Sequence, residues 1–313
     1  MSQSVLKLSK QQIYSMKKHY YTSLKGSTPP GSIFSAKVQG CSITAYQSGK
    51  VLFQGPNHFQ EANKWGNAAS SSPSKKSTKP NAVTPYTPSD KILQSSHVGS
   101  DEAGTGDYFG PITVACAYVT EEQTHALKQI GVKDSKHLKD PEIQRIAKRI
   151  VEMNIPYSLV VLRNEKYNQL QQKGWTQGKM KTMLHHQAYK KLVNKLGFEP
   201  EAWVIDQFAQ PQVYKKHLAS EKEVLPPNTY FLTKAESHSI AVAAGSIIAR
   251  SAFVKQMNKL SEEAGMELLK GASQRVDQVA ATLIQQQGSE ALQGYAKVHF
   301  ANTEKALERL HKR

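Results

Sequence analysis

The chain has 313 residues, 39% hydrophobic and 21% charged, with 41 Lys and Arg against 25 Asp and Glu and a net charge of +16. That length permits one large domain or two smaller ones with a sizeable core, and no run of 18 or more apolar residues marks a membrane span. Two cysteines exclude a disulfide framework, and the positive field favours a polyanion partner, although a lysine-rich surface also serves solubility.

The first residues, "MSQSVLKLSKQQIYSMKK", hold no apolar core of a signal peptide, so the expected compartment is cytoplasmic. Ile13, Met16, Tyr20 and Leu24 recur at three- and four-residue spacing and predict a helix over 9–24. Three strand-like runs follow, "SIFSAKV", "CSITAYQ" and "KVLFQG". Ser48-Gly49 reads as a two-residue hairpin between the last two. That pairing sets Lys50 beside Gln47, on one sheet face with Leu52 and Ala45. Lys50 then either faces nucleic acid or decorates a sheet rim. A closing helix is expected over 59–65. Residues 1–66 thus form a small, basic α+β unit. Over residues 1–97, twelve lysines meet only Glu61 and Asp90 as acids. Residues 67–96 are rich in Ser, Thr, Pro and Lys without apolar periodicity and read as a flexible linker.

Residues 97–313 form the second expected domain. It opens with "HVGSDE" and "PITVACAYVT", two strands around a glycine turn. Helices are expected near 122–130, 141–153, 178–196 and 239–260, with strands at 158–162 and 202–206. Strands interspersed with helices argue a layered α/β or mixed α+β domain. Cys41 and Cys116 each lie in an apolar run and read as reduced core residues.

Within "GSDEAGTGDYFGP" the third glycine comes one residue too late for a dinucleotide fingerprint, and a strand follows it. "GWTQGKM" has three residues between its glycines and Met180 where a phosphate loop carries Ser or Thr. No zinc spacing occurs, and adjacent His185 and His186 fall on different helix faces. The carboxylates remain. Asp101 and Glu102 side by side call for a positive partner, and Mg2+ binds through a few carboxylates, water and substrate phosphate. Two such ions about 3.5–4 Å apart serve phosphodiester cleavage but need more acids. Asp206 ends the strand "AWVID", and Glu236 precedes a buried helix. Each also has an ordinary reading, as a turn residue and a first-turn helix acid. Asp134 reads as a turn residue and Asp277 as a surface helix residue. On a regular strand Asp101 and Glu102 point to opposite faces. Either the chain kinks there or Glu102 contributes through its carbonyl.

Taken together, "GSDEAGTGDYFGP", "VKDSKHL", "VIDQF" and "TKAESHSIAVAAGSIIAR" resemble the motifs of type 2 ribonucleases H in order and spacing. Thr105 between the glycines, Glu236 as the last acid and the basic head make the likeness closer to bacterial ribonuclease HIII. The resemblance implies a ribonuclease H-like mixed sheet flanked by helices, preceded by a small α+β domain similar to half of a TATA-binding protein. It implies an endonuclease that cuts the RNA strand of RNA–DNA hybrids, leaving 5′-phosphate and 3′-hydroxyl ends. It maps the catalytic and metal-binding acids onto Asp101, Glu102, Asp206 and Glu236, with two Mg2+ or Mn2+ ions. It assigns ribose 2′-hydroxyl contacts to Gly104, Thr105 and Gly106, with Lys50 as a candidate contact in the head. The expectation is a monomer without membrane partners. A ribonuclease HII-like enzyme acting at single embedded ribonucleotides and a non-catalytic nucleic-acid binder are the alternatives. Gly245, inside an alanine-rich helix, costs roughly 1 kcal/mol relative to Ala.

Overall fold

The run "ITVACAYV" carries no charged residue and is apolar but for Thr113, and such a strand must be covered on both faces. A computed structural model shows how it is covered. The structure describes residues 3–26, 28–29, 31–66, 84–133 and 138–311. The chain divides into two units, Met1–Val83 and Thr84–Arg313.

In the first unit, β1 (Gln3–Lys7) is followed by α1 (Lys10–His19), β2 (Ser32–Val38), β3 (Cys41–Tyr46), β4 (Lys50–Gln54) and α2 (His58–Asn63). Ser9 opens α1 with a reciprocal cap: its hydroxyl accepts from the Gln12 amide while Gln12 accepts from the Ser9 amide. Ile13, Met16 and Tyr20 then bury one helix face against Phe34, Ile43, Val51 and Phe53. The sheet is antiparallel in the order β1-β4-β3-β2. β1 escapes the sequence pattern because one of its two inward positions is Ser4, whose hydroxyl bonds the His58 ring.

The hairpin register differs from expectation by one residue. Ala45 pairs with Val51, and the Gly49 amide donates to the Tyr46 carbonyl. Gly49, at φ +85°, adds a left-handed residue to the loop. A one-residue slip exchanges the faces. Ala45 therefore lies in the core, while exposed Lys50 stands opposite Lys7 on the other face.

The second unit begins earlier than expected. Residues 84–96 fall within the expected linker, but they hold α3 (Asp90–Gln94), capped by the Ser89 hydroxyl. Ile92 and Leu93 pack on Val204, Ala235 and Val242. So few anchoring side chains are not enough to show a period. Then come β5 (His97–Ala103), β6 (Ile112–Val119), α4 (Glu121–Gln129), α5 (Asp140–Glu152), β7 (Tyr157–Leu162), α6 (Asn164–Gln172) and α7 (Gln177–Leu196). β8 (Trp203–Asp206), α8 (Pro211–Ser220), β9 (Thr229–Leu232), α9 (Ile240–Ala264), α10 (Gln274–Gln287), α11 (Leu292–Tyr295) and α12 (Ala301–His311) complete it. The sheet order is β7-β6-β5-β8-β9. The β5–β8 and β8–β9 pairs are parallel, and the β5–β6 and β6–β7 pairs are antiparallel.

Alternate residues of β6 enter separate cores. Val114 and Cys116 join Leu184, Ala188 and Leu192 of α7. Ala115 and Ala117 join Ala244 and Ile247 of α9 and Ile143 and Ile146 of α5. A third core gathers Tyr108 and Phe109 with Phe253, Val276 and Leu283. The helix α9 has the length and apolar content of a membrane span, yet 72% of its apolar window is buried within the protein. It comes so close to β5 that a Cβ on Gly99 would lie 2.0 Å from the Val242 amide nitrogen. Gly245 meets the sheet from the helix side, 3.1 Å from the Ala115 carbonyl by the same construction. Its low helix propensity is the counterpart of that close approach. Both cysteines are buried and free.

Candidate active site

The sheet brings three acids together from separate segments. Asp101 lies within β5, Asp206 ends the neighbouring strand β8, and Glu236 sits in a short 3-10 turn (Ala235–Ser237) just ahead of α9. One carboxylate oxygen of each lies within 4.8 Å of the others. Asp101 and Glu236 are buried and Asp206 is half-buried. The Glu102 amide donates to Asp101 Oδ1 at 2.7 Å, and the Ala235 amide donates to Asp206 Oδ1 at 2.8 Å. Burial pushes the Asp101 carboxyl well above its usual range, and the Glu102 and Asp206 charges push it further, against hydrogen bonds from Ser246 and the Glu102 amide. All-oxygen donors, crowded and desolvated, fit a hard divalent cation.

Glu102 does not join this cluster. The strand stays regular through Ala103, so its carboxylate points to the opposite face. There Lys181 donates to Oε1 at 2.7 Å, and His185 Nε2 lies 2.9 Å from Oε2. Burial alone would raise the Glu102 carboxyl, but His185 and Lys181 outweigh it and hold the carboxyl below its ordinary value. The chain of bonds continues inward. Trp203 Nε1 donates to Ser100 Oγ at 3.0 Å, and Ser100 meets His185 Nδ1 at 2.9 Å. The Glu102 carboxylate can only accept, so His185 presents a proton to it on Nε2. His186 turns elsewhere, with Nε2 3.1 Å from Glu223.

The glycine turn follows directly on β5. Gly104 has φ +88°, and a Cβ there would lie 2.2 Å from the Pro111 carbonyl oxygen. No other residue fits. Gly106 is exposed, and a Cβ on it would meet nothing within 4 Å. Distant segments hold the turn. Gln177 donates to the Thr105 carbonyl at 3.0 Å. Buried Lys297 donates to the carbonyls of Asp107 at 2.8 Å and Gly110 at 2.5 Å. The Gly271 amide donates to Asp107 Oδ1 at 2.6 Å.

Sequence reasoning missed Lys181, His185, Gln177 and Lys297, because each acts across a long separation. Only the placement of Gln177 in the glycine-flanked "GWTQGKM" offered a signal. Asp277, expected on the surface, is instead buried and accepts from Asn302 of α12. Its helix face is covered by a segment that the local pattern does not show. Asp134 lies outside the described residues. Lys50 is exposed on the open face of the head sheet.

Acids converging from β5, β8 and the start of α9 on a five-stranded sheet of this order define a ribonuclease H-like, metal-dependent nuclease. Residues 98–303 match the family described as Ribonuclease HII, and residues 3–78 match a domain of unknown function (DUF3378). Ribonuclease HIII of Oceanobacillus iheyensis is 58% identical over 99% of this chain and 100% of its own length. Ribonuclease HIII of Bacillus subtilis is 53% identical over 98% of this chain and 97% of its own. Among solved structures, Bst-RNase HIII in complex with Mn2+ is 42% identical, covers both chains fully and superposes with a TM-score of 0.70. Aquifex aeolicus RNase H3, at 21% identity over 94% of this chain and 99% of its own, shares the fold with a TM-score of 0.55. The chain belongs to the ribonuclease HII family and, within it, to the ribonuclease HIII branch. It is a ribonuclease H-type endonuclease.

Proposed function

We propose that Asp101, Asp206 and Glu236 hold two divalent ions, Mg2+ or Mn2+, and that the chain uses them to hydrolyse the RNA strand of RNA–DNA hybrids. The observation that carries this reading is the approach of three oxygen donors to within 4.8 Å. When bound, divalent ions supply Lewis-acid chemistry: they lower the cost of deprotonating water and steady the oxygen leaving the phosphodiester, which leaves 5′-phosphate and 3′-hydroxyl ends. The relative solved with Mn2+ supports that choice of ion. The chain's own residues set the geometry. Two backbone amides, those of Glu102 and Ala235, fix the carboxylates of Asp101 and Asp206. Glu102, also expected among the ligands, keeps its carboxylate on the opposite face of β5 with Lys181 and His185 and is no part of this set.

Exposed Gly106 and the adjoining Thr105 present backbone amides beside the acids. Among the described residues no protein acceptor takes either N–H. Gly104 shapes the turn, and together the three read the ribose 2′-hydroxyl that distinguishes RNA from DNA. We assign substrate grip to residues 1–66, where Lys7, Lys37 and Lys50 share the open face of the sheet. Buried reduced Cys41 and Cys116 fit a cytoplasmic setting.

Cleavage of a uniform RNA–DNA hybrid by Asp101→Asn and Glu236→Gln variants tests the reading. Each is expected to lose at least about a hundredfold in rate while remaining folded. Full cleavage by either variant would remove that acid from the site. A substrate with one embedded ribonucleotide, run beside a hybrid with several, separates this activity from the single-ribonucleotide alternative.

A further inference from the structure

The glycine turn reaches the ribose only if its amides point the right way, and an exposed turn with glycines has little conformational preference of its own. Its carbonyls reveal what sets the direction. The Gly104 carbonyl accepts from the Asp107 amide at 3.4 Å. The Thr105 carbonyl accepts from Gln177 Nε2 at 3.0 Å. In a planar trans peptide the C=O and the following N–H point in opposite directions. Holding the Gly104 carbonyl inward therefore turns the Thr105 N–H outward, and holding the Thr105 carbonyl turns the Gly106 N–H outward. The first constraint is internal to the turn and long. The second comes from outside it.

Gln177 is well placed to impose that constraint. It is the first residue of α7, a 20-residue helix buried along the main core, and the Thr176 hydroxyl caps the helix by accepting from the Lys179 amide. Its second amide hydrogen goes to the Tyr167 hydroxyl at 3.2 Å. Tyr167 is itself buried and stacked on His299. Both donors of one side-chain amide are thus committed, and the side chain is fixed from a rigid element.

We propose that Gln177 is a positioning residue for RNA recognition: by holding the Thr105 carbonyl it aims the Gly106 amide at the ribose 2′-hydroxyl. This rests on the reading that the glycine turn contacts the ribose. Gln177 acts through the turn and does not itself touch the reacting phosphate.

The test uses the full-length chain in Mg2+. Steady-state cleavage of an RNA–DNA hybrid gives KM, and a DNA duplex of the same sequence, added as a competitive inhibitor, gives Ki. Gln177→Ala removes the donor, and Gln177→Glu replaces it with an acceptor facing an acceptor. Both are expected to raise KM for the hybrid about tenfold, the worth of one ribose hydrogen bond, with Ki for DNA and the thermal midpoint unchanged. A purely structural role would shift the midpoint, or KM and Ki together, and would overturn the proposal. Gly106→Ala provides the control on the underlying reading, because its methyl group meets no protein atom yet obstructs the ribose. If Gly106→Ala raises KM selectively and the Gln177 variants do not, Gln177 has no positioning role while the glycine turn keeps its own. If all three leave KM unchanged, the turn does not read the ribose and both ideas fall.

Discussion

Asp101 bears the electrostatic cost of the site. Its carboxyl is raised by burial and by its acidic neighbours, so the folded chain retains a proton that the unfolded chain has already released. Without divalent ions, stability should fall as pH climbs from the ordinary carboxylate range toward that raised value. Asp101→Asn should flatten this fall, as read by urea unfolding in chelator across pH. A slope unchanged by the substitution would place the strain elsewhere. Lys297 carries the opposite case. Burial lowers its ammonium from 10.5 to about 7. Between those values the unfolded chain binds the proton and the folded chain does not, so stability rises with pH in that window, by up to ~1.4 kcal/mol per pH unit. Lys297→Met should abolish this rise. Because Lys297 also holds the Asp107 and Gly110 carbonyls, the same variant should lose activity on hybrids.

At the level of elements, the packing of α9 on β5 determines whether the acids meet. Gly99→Ala would drive a methyl group to 2.0 Å from the Val242 nitrogen. It should cost more than about 3 kcal/mol by denaturant titration, because two backbones must separate. Gly106→Ala should leave stability within about 0.5 kcal/mol. The elements around this packed pair were the most legible in the sequence. The unbroken β6, the helix α7 and the alanine-rich α9 carry long runs of one character, and their expected spans lie within a few residues of those observed. β9, α6, α8 and α10 were missed. The strand has four residues, and the helices expose polar residues on most of their surface, so burial by distant partners decides them. The same logic divides the site. Asp101, Asp206 and Glu236 stand beside recognisable turns and strand ends. The exclusion of the Glu102 carboxylate follows from strand alternation, which the sequence states, together with a regular backbone, which it does not. Lys181 and His185 were hidden because side-chain contacts 79 and 83 residues apart leave no local mark.

At the scale of the whole molecule, the proposed grip of the basic head on the hybrid is open to test. Replacing Lys7, Lys37 and Lys50 together by Ala should weaken hybrid binding. The slope of its logarithm against the logarithm of salt concentration should shrink by about one for every phosphate that those lysines neutralise. An unchanged slope would leave those lysines with no part in binding. Catalysis depends on the three acids acting as a group that holds divalent ions. Titration calorimetry of Mn2+ into the full-length chain tests this most directly. Saturable binding to the native chain, abolished in Asp101→Asn and in Glu236→Gln variants that remain folded, is the expected result; equal binding by all three proteins would contradict the account.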